Sequence, residues 1–149
     1  MSIRRVVVGV DGSPNARRAI EWTAELARAL RAHVTAVHAL GLVAHGDDGT
    51  PTAAQPSRAE ATARLRDEWC APLTAASVDH DCVVRDGSAV SVVLDTADDL
   101  GADLIVLGSR GLGGYPELLL GSTSTQVAQR SAIPVVIVPD EHARPDPAA

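Results

Sequence analysis

The sequence predicts a single doubly wound α/β domain, with a five-stranded parallel sheet and helices on both faces. Three observations carry this. Short runs rich in Val and Ile alternate with stretches of helical periodicity in the order βαβαβαβαβ, which implies a parallel sheet covered on both faces. The runs Val6-Val7-Val8-Gly9-Val10 and Leu104-Ile105-Val106-Leu107 lack the polar alternation of half-exposed strands, as strands buried on both faces do. A chain of 149 residues suits one domain and can bury about 68–70% of its unfolded surface. With right-handed crossovers, the natural strand order is 3-2-1-4-5.

The elements follow in chain order. The first strand, Val6–Val10, ends at Asp11-Gly12. Ser13 then caps a helix with Pro14 at its first position. Ala16, Ala19, Ile20, Thr23, Ala27 and Leu30 fall on one face of that helix, which runs to about Arg31. His33–Ala39 is the second strand. Residues 40–56 hold Gly41, Gly46, Gly49, Pro51 and Pro56 and read as a long loop, functional or mobile. A second helix is expected from Ser57 to about Ser77, with Leu65, Trp69 and Leu73 inward and Pro72 kinking or shortening it. Residues 78–85 contain a weaker third strand, interrupted by Asp79, His80 and Asp81. After the turn Asp86-Gly87-Ser88, the residues Val90, Val93, Leu94, Ala97 and Leu100 define an amphipathic helix closed by Gly101. The fourth strand is Leu104–Leu107. A helix through Gln126–Arg130 follows, and Val135–Val138 is the fifth strand. Residues 1–139 are read as the domain and 140–149 as a flexible tail.

Composition narrows the function. Net charge is −6, and all thirteen basic residues are Arg, scattered without a basic block, so no nucleic-acid partner is expected. The absence of Lys excludes a P-loop lysine, a Schiff-base lysine or a lysine general base. Aromatics are limited to Trp22, Trp69 and Tyr115, so a bound base would be gripped mainly by aliphatic side chains and backbone. Cys70 and Cys82 have neither C-x-x-C nor zinc-ligand spacing, and read as two reduced thiols acting as small hydrophobes. With no signal-type or membrane-length apolar segment, a cytoplasmic protein with no membrane partner is expected.

The chemistry concentrates between Asp103 and Pro139. A buried strand, a loop with glycines at 108, 111, 113, 114 and 121, and a hydroxyl-rich helix start, Ser122-Thr123-Ser124-Thr125, make an anion site. Backbone N–H groups at such a helix start lack intrahelical partners, and the helix dipole favours negative charge there. Gly108 is expected to turn the chain away from the sheet. Gly111 and Gly121 are expected to allow close approach of a ligand, with positive φ available to them. Ser122, Thr123 and Ser124 complete the phosphate set, Ser122 and Ser124 supplying a hydroxyl and an N–H. Arg110 either pairs with a phosphate or is solvated. In the order 3-2-1-4-5, strand 1 lies beside strand 4 where the winding reverses, and ligands bind outside the carboxyl ends of strands at that point. Asp11 and Gly108 end those two strands. Asp11 is either a ligand for ribose or an adenine amine, or a turn-forming residue ahead of Gly12.

The spacing Gly108-x-x-Gly111, nine residues, Gly121-Ser122 resembles the ATP-binding signature of the universal stress protein family. Val8-Gly9-Val10-Asp11-Gly12-Ser13 and Ile133-Pro134-Val135-Val136-Ile137-Val138 match the rest of the pattern, so the resemblance covers roughly residues 3–138. It implies the same strand order, a Rossmann-like fold, nucleotide contact by Asp11, backbone contact by Ala39 with the adenine, and packing on the ring from neighbours such as Val10, Val37 and Leu107. For those three, ordinary core packing is an equally good reading. The resemblance implies ATP, alone or with Mg²⁺, as ligand. Val135–Val138 is followed by no further strand to cover it, so a homodimer through that edge is expected, as the resemblance also implies; the alternative is that residues 140–149 fold over the edge. Tyr115-Pro116-Glu117 departs from the pattern by placing a rigid residue and an acid in the spacer.

Other constellations fail. Pro116 stands where G-x-G-x-x-G needs its last glycine, and no G-x-S-x-G elbow is present. His33 and His38 fall on opposite faces of one strand, and with His45, Asp47 and Asp48 match no standard metal site. His38 reads as a hydrogen-bonded core histidine. The expected function is an ATP-binding regulatory module. The alternatives are a slow ATPase, disfavoured because no general base is assignable beside the phosphates, and a dimeric interaction protein with a vestigial or cyclic AMP site.

Overall fold

The computed structural model describes residues 1–41, 57–110 and 120–140. Its strands are β1 Arg5–Gly9, β2 His33–Ala39, β3 His80–Arg85, β4 Leu104–Gly108 and β5 Val135–Val138; its helices are α1 Pro14–Leu30, α2 Arg58–Arg64, α3 Ala71–Ala75, α4 Ala89–Leu100 and α5 Ser122–Arg130. All strand pairs are parallel, in the order β3-β2-β1-β4-β5. The long expected loop, residues 42–56, lies outside the described residues, as do 111–119 and 141–149.

Each face of the sheet has its own apolar layer. Val6, Val8, Val34, Ala36, Leu104 and Val106 pack with Ala19, Ile20, Ala24 and Ala27 of α1 and with Leu65 and Leu73. The alternate residues Val7, Val37, Ile105 and Leu107 pack with Val90, Val93 and Ala97 of α4 and Val127 of α5. The central strands β1 and β4 are buried on both sides, which is why their sequences are continuous apolar runs. The polar residues His80 and Asp81 are tolerated within β3 because it is a sheet edge.

Local signals set the helix ends. Ser13 Oγ accepts the Ala16 N–H at 3.1 Å, with Pro14 at the start of α1. Ser88 caps α4 in the same way, and Gly101 closes it in the left-handed conformation. Asp103 ties the starts of β1 and β4 together by accepting the N–H groups of Arg4 at 2.8 Å and Arg5 at 3.0 Å. Those two backbone bonds hold its carboxyl below the ordinary carboxylate range.

The single helix expected from Ser57 to Ser77 is instead three pieces. α2 carries a capping box built by Ser57 and Glu60. A π-helical turn, Leu65–Trp69, follows and ends where Cys70 donates its N–H to Leu65 O at 2.9 Å. α3 then restarts with Pro72 in its first turn. A proline there lacks the N–H and crowds the carbonyl four residues back, so the chain widens before it rather than kinking at it. Leu65 and Leu73 are buried as expected, and Trp69 is half-buried.

Among the described residues, no helix is long and apolar enough to cross a membrane.

Candidate functional site

β1 and β4 run side by side, Val8 level with Val106. Their carboxyl ends therefore open together, with Val10-Asp11 beside Gly108-Ser109, and α1 and α5 start from the same end of the sheet. Gly108 is required here for space. A Cβ on it would lie 2.8 Å from the backbone carbonyl carbon and oxygen of Asn15, in the first turn of α1. Gly12 has φ +82°, and a Cβ there would meet Trp69 Cζ2 at 2.7 Å, so the Asp11–Ser13 turn packs flat against the indole.

Asp11 is half-buried, and its Oδ1 accepts the Ser13 N–H at 2.9 Å, which is the turn-forming arrangement. Val10 is 5% exposed and donates its N–H to Val37 O at 2.9 Å. The carbonyl of Val10 meets Nδ1 of the half-buried His38 at 2.7 Å, and the His38 ring stands edge-on to Trp69 at 5.1 Å between centroids. Leu40 donates its N–H to Arg85 O at 3.0 Å, toward β3. By strand alternation the backbone groups of Ala39 turn the other way, toward the end of β1. Leu107 is buried, on the α4 face of the sheet.

The start of α5 is organised by Ser109, which is 2% exposed. Its carbonyl accepts the Gly121 N–H at 2.6 Å and the Ser124 hydroxyl at 2.9 Å. Its N–H donates to Val138 O at 2.9 Å, and its hydroxyl accepts the Asp140 N–H at 3.2 Å. The helix begins at Ser122, so the expected hydroxyl-rich lead-in is its first turn. Gly121 is the N-cap residue with φ −75° and ψ 170°, an extended conformation open to any residue; positive φ is not what requires glycine there. Having no side chain, Gly121 leaves the N–H groups of Ser122, Thr123 and Ser124 without a side-chain cap. The first intrahelical bond is Thr125 N–H to Gly121 O at 3.1 Å.

Two expectations change on contact with this geometry. The Ser124 hydroxyl is buried and directed at Ser109 O, so Ser124 faces the opening with its backbone N–H only. The Arg110 guanidinium bonds the Asp140 carboxylate, both side chains being largely shielded, so it is neither solvated nor an uncompensated charge. Asp140 itself, the first residue of the expected tail, is held by Ser109 and Arg110. Gly111 and Tyr115-Pro116-Glu117 lie outside the described residues.

Ser109 and Asp140 were not marked by the sequence, since a serine after a strand and an acid after Pro139 carry no spacing signal. The same holds for Cys70 and Cys82, twelve residues apart in sequence, whose sulfurs meet at 3.3 Å. Among the described residues, no group of His, Cys, Asp or Glu is arranged to hold a metal ion.

The sequence profile of the universal stress protein family matches residues 2–139. A universal stress protein from Synechocystis sp. is 30% identical over 137 residues, which is 91% of this chain and 85% of that one. A solved universal stress protein in complex with cAMP matches at a TM-score of 0.73 and 31% identity, over 97% of this chain and 100% of that one. The fold is shared more distantly with a universal stress protein from Archaeoglobus fulgidus in complex with dAMP, at a TM-score of 0.65 and 23% identity over 93% of this chain and 99% of that one.

Proposed function

The chain belongs to the universal stress protein family, and from that premise we propose that it is an adenine-nucleotide-binding regulatory module whose ligand is ATP. One observation carries the reading: the uncapped N–H groups of Ser122, Thr123 and Ser124 sit at the carboxyl end of β4, beside the end of β1, where the sheet's winding reverses. In this reading the phosphates lie on those donors and at Gly108 and Gly121; Gly111, the third glycine of the set, belongs to the same reading and lies outside the described residues. The ribose lies at Asp11, and the base lies against the Ala39 backbone and the apolar strand ends Val10 and Leu107. Arg110 contributes through the Asp140 pair rather than as a bare cation. Mg²⁺ would be held largely by phosphate oxygens and water, as that ion commonly is.

Titration calorimetry with ATP, with and without Mg²⁺, tests this. A backbone-and-dipole site without lysine is expected to bind with a Kd of roughly 1–100 μM, about −8 to −5.5 kcal/mol. No heat at millimolar ATP would overturn the proposal. The cAMP complex of a relative 31% identical to this chain favours cyclic AMP as a second reading, and competition between the two nucleotides separates them. Steady-state phosphate release tests the slow-ATPase alternative, and none above the buffer rate is expected.

The reading includes a homodimer through β5, an edge strand with no neighbouring strand on its outer side among the described residues. Ile105 and Ser109 donate to Pro134 O and Val138 O, so even-numbered residues face β4. The backbone groups of Val135 and Ile137 therefore point outward, where a second copy can pair with them antiparallel about a two-fold axis.

A further inference from the structure

Cys70 and Cys82 are the chain's two cysteines. Cys70 is fully buried at the break between the π-helical turn and α3, and Cys82 is half-buried on the edge strand β3, level with Ala36 of β2. Both belong to the apolar layer that also holds Leu65, Leu73 and Val84. Their sulfurs are 3.3 Å apart, and closing that gap to the roughly 2.05 Å of an S–S bond needs little more than an ångström of movement. We propose that Cys70 and Cys82 form a redox-active dithiol site, converted by a hydroperoxide into a reversible intramolecular disulfide.

The two thiols have different environments and so different parts in the reaction. Ionised Cys82 is stabilised first by the hydrogen bond from Cys70, and also by His80 and Arg66, against burial and Asp81; its pKa falls to about 7. Cys70 is pushed up by the bond to Cys82 and by burial, and stays a thiol. Cys82, on the sheet edge, is the sulfur that meets the oxidant.

The Cys82 thiolate attacks one peroxide oxygen. The O–O bond breaks, the alkoxide or hydroxide leaves and takes a proton, and Cys82 becomes a sulfenic acid. The Cys70 sulfur then attacks Cys82 Sγ. The S–O bond breaks, and the departing hydroxide leaves as water with the Cys70 proton. In sum, two thiols lose two electrons to one hydroperoxide, which is reduced to an alcohol, or water, plus a second water. A dithiol reductant reverses the bridge by exchange.

The bridge would pin the helix break to β3. Trp69 adjoins Cys70 and packs on Gly12, so its emission is expected to report the event; Trp22, on α1, is the chain's other tryptophan.

The test treats the reduced full chain with a few equivalents of hydrogen peroxide and measures intact mass without reductant. The expected product is lighter by two hydrogens, has no titratable thiol, gives a linked Cys70–Cys82 peptide and returns to starting mass with dithiothreitol. In Cys70→Ser the reaction is expected to stop at a Cys82 sulfenic acid trapped by dimedone. In Cys82→Ser peroxide consumption is expected to slow at least about tenfold. Each variant is checked for native circular dichroism, and the wild-type result decides without them. Thiols that survive, oxygen added without bridging, or a bridge between two chains would each overturn the proposal.

Discussion

Replacing Gly108 by Ala isolates one contact on which the site's geometry rests. The added Cβ would stand 2.8 Å from Asn15 C and O and 3.0 Å from Asn15 Cβ, and must reach the 3.4–4 Å of ordinary contact. Most of what it meets is backbone, and that backbone is the first turn of α1, fixed by the Ser13 cap and followed by the buried Ala19 and Ile20. The helix or the strand has to move. Overpacking of this kind costs about 1–3 kcal/mol. Gly108 is not among the residues with positive φ, so alanine also narrows the unfolded ensemble and returns about 0.4–1 kcal/mol. At the middle of each range the net is a loss of about 1.3 kcal/mol, a fall in Tm of about 3–5 °C at this chain length. Gly9→Ala is the control: its Cβ would meet Leu107 Cδ2 at 2.6 Å and Val93 Cγ2 at 3.2 Å, the tips of side chains that can turn aside. Urea unfolding of both variants is the assay. If Gly108→Ala lies within about 0.5 kcal/mol of wild type, or if Gly9→Ala is the worse of the two, the argument that Gly108 exists to admit the Asn15 backbone is wrong.

Three further outcomes are expected. Ile137→Pro removes an outward-facing N–H of β5 and is expected to give monomers in sedimentation equilibrium where wild type is dimeric at micromolar concentration; Val136→Pro instead strikes the β4–β5 ladder and should cost stability. A monomeric wild type, or a dimeric Ile137→Pro, sinks the β5 interface. Gly121→Val keeps an allowed backbone, φ −75°, yet places a branched side chain beside the uncapped N–H groups, so it should fold and lose at least about tenfold in ATP affinity; unchanged calorimetry would reject the phosphate assignment. Asp103→Asn is expected to be less stable than wild type at neutral pH. Because the folded-state pKa of Asp103 is depressed, its contribution is complete above the ordinary carboxylate range and is lost as pH falls through the folded value, so the two unfolding curves should converge in acid; a gap independent of pH would contradict this.

Most of the fold was legible because its signals are local. Val6–Val8 and Leu104–Leu107 read as strands buried on both faces since nothing polar interrupts them, and the order 3-2-1-4-5 follows from alternation and crossover handedness. Ser13-Pro14, Ser88 and Gly101 mark helix ends through bonds made within a few residues. The break in the second helix is not legible, because periodicity registers Leu65, Trp69 and Leu73 on one stripe whether the turn between them is α or π. Only the conflict of Pro72 with the preceding turn separates the cases, and it acts upstream of the proline, at the Glu68 carbonyl inside the π-helical turn.

The location of the candidate site was legible for the same reason, and its internal wiring was not. Glycine spacing places Gly108 and Gly121 at two ends of one loop, but says nothing of what Ser109 does between them. In the structure Ser109 joins β5, the start of α5 and Asp140 through four hydrogen bonds of its backbone and hydroxyl. Those bonds fix where α5 begins and hence where its uncapped N–H groups point. Arg110 was the natural candidate for the phosphate's countercharge from sequence, being the sole cation of the loop, but Asp140 meets it across thirty residues of chain. A phosphate at α5 would then depend on aligned N–H groups and the helix dipole more than on an opposing full charge. Such a site has a weaker salt dependence than one built on a lysine, because the partial charges act at hydrogen-bond range rather than through a screened field.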